Sequence, residues 1–213
     1  MIRICKKVDS PLTLDKSYNT DEVCEQLLID QNEKCYLCER HLTADYQVEH
    51  FKSQANNPGL VRTWNNLFIS CGYCNSKKSN KYDDILDPTS HNIEVLIKHS
   101  NDFVNQKVIF SSDEVSSEVL STIQLLNLLF NGKLPYRNYR EQRFYDALIQ
   151  KMNFFSYAID EYLAGNKEEY YPVIKEQLDI HSEYLGFKYA IIHSNHLLKR
   201  DFGDMTIWNK KQE

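Results

Sequence analysis

Apolar side chains recur every three or four positions through most of the second half of the chain. Between Ser116 and Asn131, Val119, Ile123, Leu126 and Phe130 lie at steps of four, three and four, and Gly132 follows as a stop. Phe144, Leu148, Met152, Phe155, Ile159 and Tyr162 form a longer stripe. It predicts a helix over Tyr139–Ala164, closed by Gly165. Pro172 suits the first turn of a further helix over Tyr171–Tyr184, Ala190–Lys199 reads as a last one, and Asp15–Asn32 reads as an early one. The period changes in the first half. Tyr46–Phe51 alternates as a short strand does, so Glu49 and His50 point to opposite faces and are not both expected in the core. Asn56-Asn57-Pro58-Gly59 is a loop signal, and Trp64–Ser70 can supply the partner strand. The fold class is α+β, with a mainly α-helical C-terminal half. Leu86-Asp87-Pro88 marks a boundary, because proline disfavours helix in the residue before it. Two units are expected, residues 1–90 and residues 91–213.

Composition narrows the class. Of 213 residues, 42% are apolar and 26% charged, which excludes global disorder. Six glycines and five prolines exclude a collagen-like or linker-like chain, and 24 Phe and Tyr residues supply bulky core material. No stretch reaches the roughly 18 consecutive apolar residues of a membrane span. Met1–Lys7 has charges with no apolar run behind them, so the expected location is the cytoplasm. The net charge of -5 is uneven. Residues 34–81 carry seven Lys and Arg against three acids, a local +4 that leaves -9 elsewhere. A basic island in an acidic chain fits a phosphate-binding face as well as it fits a solvated surface.

Four of the six cysteines fall in two tight pairs, Cys35-x-x-Cys38 and Cys71-x-x-Cys74. Two residues between thiolates is the spacing of a zinc knuckle, and two knuckles complete a tetrahedral four-sulfur site. A reducing cytoplasm disfavours two disulfides, and a redox enzyme needs one such pair, not two. The pattern therefore predicts structural zinc held by Cys35, Cys38, Cys71 and Cys74. A closed four-thiolate site performs no hydrolysis; it staples. Cys5 and Cys24 read as small buried hydrophobes. Residues 39–70 exceed the roughly 15–20 residues between the pairs of a simple zinc ribbon, so something is built between the staples. Asn75-Ser76-Lys77-Lys78-Ser79-Asn80-Lys81 follows the second pair, and Asn75 stands where a helix could begin. The order is knuckle, strand, loop, strand, knuckle, helix.

The ordered set Cys35-x-x-Cys38, Glu49-His50, Asn66-Leu67, Cys71-x-x-Cys74-Asn75 and Lys78 resembles the HNH endonuclease family. That resemblance implies a ββα-metal core braced by a four-cysteine zinc site. It further implies Glu49 and Asn75 as ligands of a catalytic divalent ion, His50 as general base and Asn66 as the residue that holds the loop. Asn75 replaces the name-giving histidine and Glu49 the commoner aspartate. Within the family, the layout is similar to the nuclease subunits of Septu-type anti-phage systems and their retron-associated relatives. The shared features are Cys-Tyr-x-Cys, the Glu-His strand, Leu-Asp-Pro, Thr122-Ile123-x-x-Leu126-Asn127 and a helical second half. This implies a neighbouring ABC-type ATPase (PtuA), with the tyrosine-rich residues 91–213 as docking unit.

The residue types suit phosphodiester hydrolysis. A neutral histidine with a pKa of about 6.5 can take a proton from water. A carboxylate and an amide oxygen are hard ligands for Mg²⁺ or Mn²⁺. Lys77, Lys78 and Lys81 are placed to hold flanking phosphates. His41 reads as a solvated knuckle residue before a phosphate contact. The expected activity is metal-dependent cleavage of DNA. The alternatives are a retron-linked nuclease that cuts RNA such as tRNA, a zinc-braced nucleic-acid-binding module and a scaffolding subunit.

Overall fold

The computed structural model describes residues 1–7, 9–133 and 136–207. Leu134, Pro135 and the last six positions of the expected 91–213 unit lie outside the described residues.

Strands β1 (Tyr46–His50) and β2 (Leu67–Cys71) pair antiparallel, Tyr46 opposite Cys71 and His50 opposite Leu67. Helix α2 (Gly72–Lys78) leaves β2 without an intervening loop. Its N-cap is Cys71, whose Sγ accepts the Cys74 N–H at 3.5 Å. Asn75 is therefore inside the helix, not at its start. The knuckle sets that boundary, because the turn that aims Cys71 and Cys74 at one point is already the first helical turn. Helix α1 (Asp21–Asp30) is shorter than the expected Asp15–Asn32, since Thr20 accepts the Val23 N–H and caps it. Leu12–Asp15 form a separate 3₁₀ turn. Cys5 and Cys24 are only half-buried, not core residues.

Beyond Pro88 the chain forms the short helix α3 (Ile93–Leu96) and then a hairpin that the helical reading does not contain. In it β3 (Lys98–Asp102) pairs with β4 (Lys107–Ser111). The Val108-Ile109-Phe110 run hides its alternation in the sequence: Val108 and Phe110 are buried, while Ile109 faces solvent at 46% exposure. Helices α4 (Ser117–Asn131) and α5 (Tyr139–Leu163) match their expected spans within a residue. Ser116 caps α4, and Asn138 with Glu141 forms a capping box on α5. All six residues of the α5 stripe are buried.

Pro172 does not open a helix; it lies inside α6 (Lys167–Gln177), as its sixth residue. Helix formation begins upstream, after Asn166. The last expected helix is two, α7 (Leu185–Ser194) and α8 (His196–Phe202). They are broken at Asn195, whose Oδ1 caps α8 by accepting from Leu197 N–H at 2.9 Å.

The two halves share packing. Tyr73 of α2 stacks on Phe144 of α5, with centroids 4.4 Å apart, and its hydroxyl donates to the Leu129 carbonyl at 2.8 Å. Phe144 continues into Phe130, and Phe130 into Phe110 and Phe187. Helix α2 is thus held between the β1–β2 hairpin and the C-terminal helices.

Candidate active site

The four cysteine sulfurs lie within 4.8 Å of one another, all four residues are buried, and none is in a disulfide. Among the described residues this is the one group of three or more Cys, His, Asp or Glu ligand atoms brought together in this way. Tetrahedral Zn–S bonds of about 2.3 Å require sulfurs about 3.8 Å apart, so the cluster has the right size as well as the right donors. Burial pushes the Cys38 and Cys74 thiols far up, whereas hydrogen bonds from Cys35, Cys38 and Cys74 pull Cys71 down. A zinc ion would take all four as thiolates and remove that competition.

Backbone geometry aims the sulfurs. The Glu39 N–H donates to Cys35 O at 2.9 Å, and Cys35 N–H donates to Arg40 O at 2.9 Å. Glu39 closes this turn in the left-handed region at φ 63°. Its buried carboxylate is held by the Met1 amino group at 2.7 Å and the Gly186 N–H at 3.2 Å. Tyr36 N–H donates to Ile69 O, tying the first knuckle to β2. Gln31 takes the place of a further strand there, since its side-chain amide satisfies both the N–H and the C=O of Ile69.

Between the knuckles, Glu49 and His50 are both buried, at 7% and 4% exposure. The expectation that one would face solvent fails because both faces at this end of β1 are covered. Glu49 shares its face with Gln47, and α2 lies against that face. Asn75 Nδ2 donates to Gln47 Oε1 at 2.8 Å, and one turn on Lys78 Nζ meets Glu49 Oε1 at 2.7 Å. Lys78 is fully buried and also donates to the His50 carbonyl at 3.1 Å. It is therefore not the solvent-facing phosphate contact its sequence position suggested. Burial raises the Glu49 pKa, with Lys78 opposing the shift.

His50 lies on the other face, between the ring of Tyr18 (centroids 4.7 Å apart) and the loop after β1. Its Nε2 is 2.9 Å from the Val61 carbonyl and its Nδ1 is 3.0 Å from Gln54 Nε2. A carbonyl can only accept, so Nε2 carries the proton and Nδ1 keeps its lone pair. Asn66 locks this loop. Its Oδ1 accepts the Lys52 N–H at 2.7 Å, and its Nδ2 donates to Lys52 O at 3.0 Å and Leu60 O at 3.2 Å.

Three side chains escaped the sequence reading. Gln54 faces the His50 lone pair. Asp83 lies 3.9 Å from Lys78 and gathers Ser53 N–H, Ser53 Oγ, Asn56 and Asn57. Burial works against its ionisation, yet the Ser53 hydrogen bonds hold its pKa below the ordinary value. No spacing rule reaches Asp83, which comes to the site by the turn after α2. Gln47 was missed as well, although its place two positions before Glu49 on the same strand face is a signal that could have found it. Of the remaining expected residues, Lys77 pairs with Glu141 and Lys81 is exposed. His41 is also exposed, its N–H on Glu183. Glu49 and Asn75 offer one carboxylate and one amide oxygen, donors that fit a largely hydrated divalent ion.

Residues 35–81 match the model of the HNH endonuclease family. The chain is 41% identical over 69 residues to the Septu protein PtuB of Bacillus thuringiensis, a stretch covering 30% of this chain and 27% of that relative. Among the described residues, no helix is long and apolar enough to cross a membrane. A four-cysteine clasp, an antiparallel hairpin and a helix running directly out of its second strand, within the matched residues, identify 35–81 as an HNH endonuclease domain.

Proposed function

We propose that this protein is a metal-dependent endonuclease that hydrolyses phosphodiester bonds in DNA, as the nuclease of an anti-phage system that works with an ABC-type ATPase (PtuA). The observation that carries the reading is the setting of His50 inside the matched domain, with Nε2–H bound to the Val61 carbonyl and the Nδ1 lone pair turned to Gln54. Nδ1 would accept a proton from water as the water oxygen attacks phosphorus and the P–O3′ bond breaks. Gln54 must turn aside to admit that water. Asn66 positions the base by holding Lys52 and Leu60, and Tyr18 fixes the ring plane. Glu49 and Asn75 would hold Mg²⁺ or Mn²⁺, which when bound supplies charge compensation at the phosphate and the leaving oxygen. Lys78 balances the buried Glu49 charge, so loading the ion requires that ammonium to move. Residues 91–213 are proposed as the docking unit for the ATPase.

The test is His50→Ala in the full chain. Divalent-dependent cutting of DNA is expected to fall by about 10²–10⁴-fold, with zinc content and melting temperature retained. Full activity in the variant removes His50 from the reaction. Cleavage of tRNA with DNA spared would move the substrate to RNA.

A further inference from the structure

A large cavity lies on the side of α2 away from β1. It is an open groove of about 1120 Å³, walled by the end of α2 and its following turn, by β4, by α4 and by the start of α5. Lys81, Lys107 and Lys133 enter it from three different elements. None of the three makes an ion pair among the described residues. Two acids also line the groove. Glu141 is paired with Lys77, and Asp102, which accepts from the Asn105 N–H and side chain, keeps its charge near Lys107. Lys77, Lys81, Lys107 and Lys133 against these two acids leave the groove an excess of two positive charges in a chain whose net charge is -5. Tyr82 and Tyr136 line it too, Tyr136 at 87% exposure.

The positive face continues past α2. Lys77 Nζ lies 5.6 Å from the Tyr73 ring centroid, and the Arg140 guanidinium 5.5 Å from the same ring. Beyond it a second, smaller groove carries Arg40, Arg140 and Arg143.

We propose that the Lys81–Lys107–Lys133 groove binds an unpaired stretch of the substrate strand beside the cut site, its lysines on phosphates and its tyrosines against bases. Separate point charges spread along an open channel match a phosphodiester backbone, and the exposed Tyr136 ring, with the partly buried Tyr82 in the same groove, matches unstacked bases of any identity. The groove adjoins the chemistry through one element. Lys77 faces it, while Asn75 and Lys78 of the same helix face Gln47 and Glu49. This rests on the nuclease reading for its substrate but not for its measurement.

The experiment is fluorescence anisotropy of the full chain with a short labelled single-stranded oligonucleotide, without added divalent ions, over a series of salt concentrations. Lys107→Ala/Lys133→Ala is compared with wild type. Loss of two phosphate contacts is expected to lower the slope of log K against log salt by about 1.4 and to weaken binding at least ~5-fold. Both residues lie at the surface, so the melting temperature should not move. Lys107→Glu/Lys133→Glu should enlarge the effect. Unchanged slope and affinity in both variants overturn the groove, even if the wild type cuts DNA. If the variants keep oligonucleotide binding but lose association with the ATPase, the occupant is protein and the proposal falls. Groove-dependent binding with no cleavage under any divalent ion would leave the groove standing and defeat the nuclease reading instead.

Discussion

Replacing Lys78 by methionine removes a fully buried ammonium while roughly keeping its volume. Its partner Glu49 has a side chain only 8% exposed, and the two charges meet at 2.7 Å. The same Nζ donates to the His50 carbonyl at 3.1 Å and lies 3.9 Å from Asp83. Breaking a buried pair by deleting one member costs about 3–5 kcal/mol, because the remaining charge is left without compensation. An unfolding entropy of about 2.1 cal/mol/K per residue over 213 residues converts this to a melting-temperature drop of roughly 7–11 °C. Glu49 has an escape, since burial already raises its pKa and loss of Lys78 raises it further. The deficit should therefore shrink as the pH is lowered and Glu49 takes up a proton. Glu49→Gln/Lys78→Met should recover at least ~2 kcal/mol of the sum of the single losses, since neither charge then remains. Urea unfolding of the four proteins gives the cycle directly. A Lys78→Met loss below about 1 kcal/mol, or strict additivity, would refute the claim that this pair is desolvated and coupled. Mn²⁺ binding, read by calorimetry, should move the other way and tighten in Lys78→Met, because a cation no longer competes for Glu49.

Cys71→Ser should lose bound zinc and unfold at markedly lower temperature, since the binding energy of a structural ion is folding energy; an unchanged melting curve in chelator would reject the clasp. Gly132→Ala should cost roughly 2–4 kcal/mol in urea unfolding. Its φ is +75°, and a Cβ there would sit 2.5 Å from Glu141 Oε2, disturbing the capping box on α5. A cost under about 1 kcal/mol would mean that Glu141 gives way freely. His99 is buried neutral, its pKa lowered to about 3 by burial first and then by the Met1 amino group. The unfolded chain takes up this proton near pH 6.5 and the folded one does not, so the associated stability is full above that pH. It is lost as pH falls toward 3, about 3 kcal/mol by pH 4. His99→Gln should be less stable at neutral pH but flatter across this window, as urea midpoints would show, and parallel pH curves would exclude His99 as the cause.

Long periodic stripes were legible because a helix that buries one face must repeat apolar residues at its own pitch. Helices α4 and α5 were located within a residue on that signal together with the closing Gly132 and Gly165. The knuckles were legible because thiolate spacing is local chemistry. The β3–β4 hairpin was not, since Val108, Ile109 and Phe110 are apolar alike and only the packed structure decides that Ile109 is left outside. Pro172 misled because one proline can be carried within a helix that starts earlier. Asn75 misled because a cap is set by the first residue that satisfies the free N–H groups, and Cys71 precedes it.

The chain's linear order was enough to specify the two Cys-x-x-Cys pairs, the strands between them and the helix at the second, because each depends on neighbours a few positions away; the candidate residues were named by the resemblance of that ordered set to a family. Burial of Glu49 and His50 together, the pairing of Lys78 with Glu49, the arrival of Gln54 and Asp83, and the meeting of Lys81 with Lys107 and Lys133 depend on segments up to about a quarter of the chain apart. Only the folded packing settles those, since the desolvation that makes a charge or a lone pair significant is a property of everything around it.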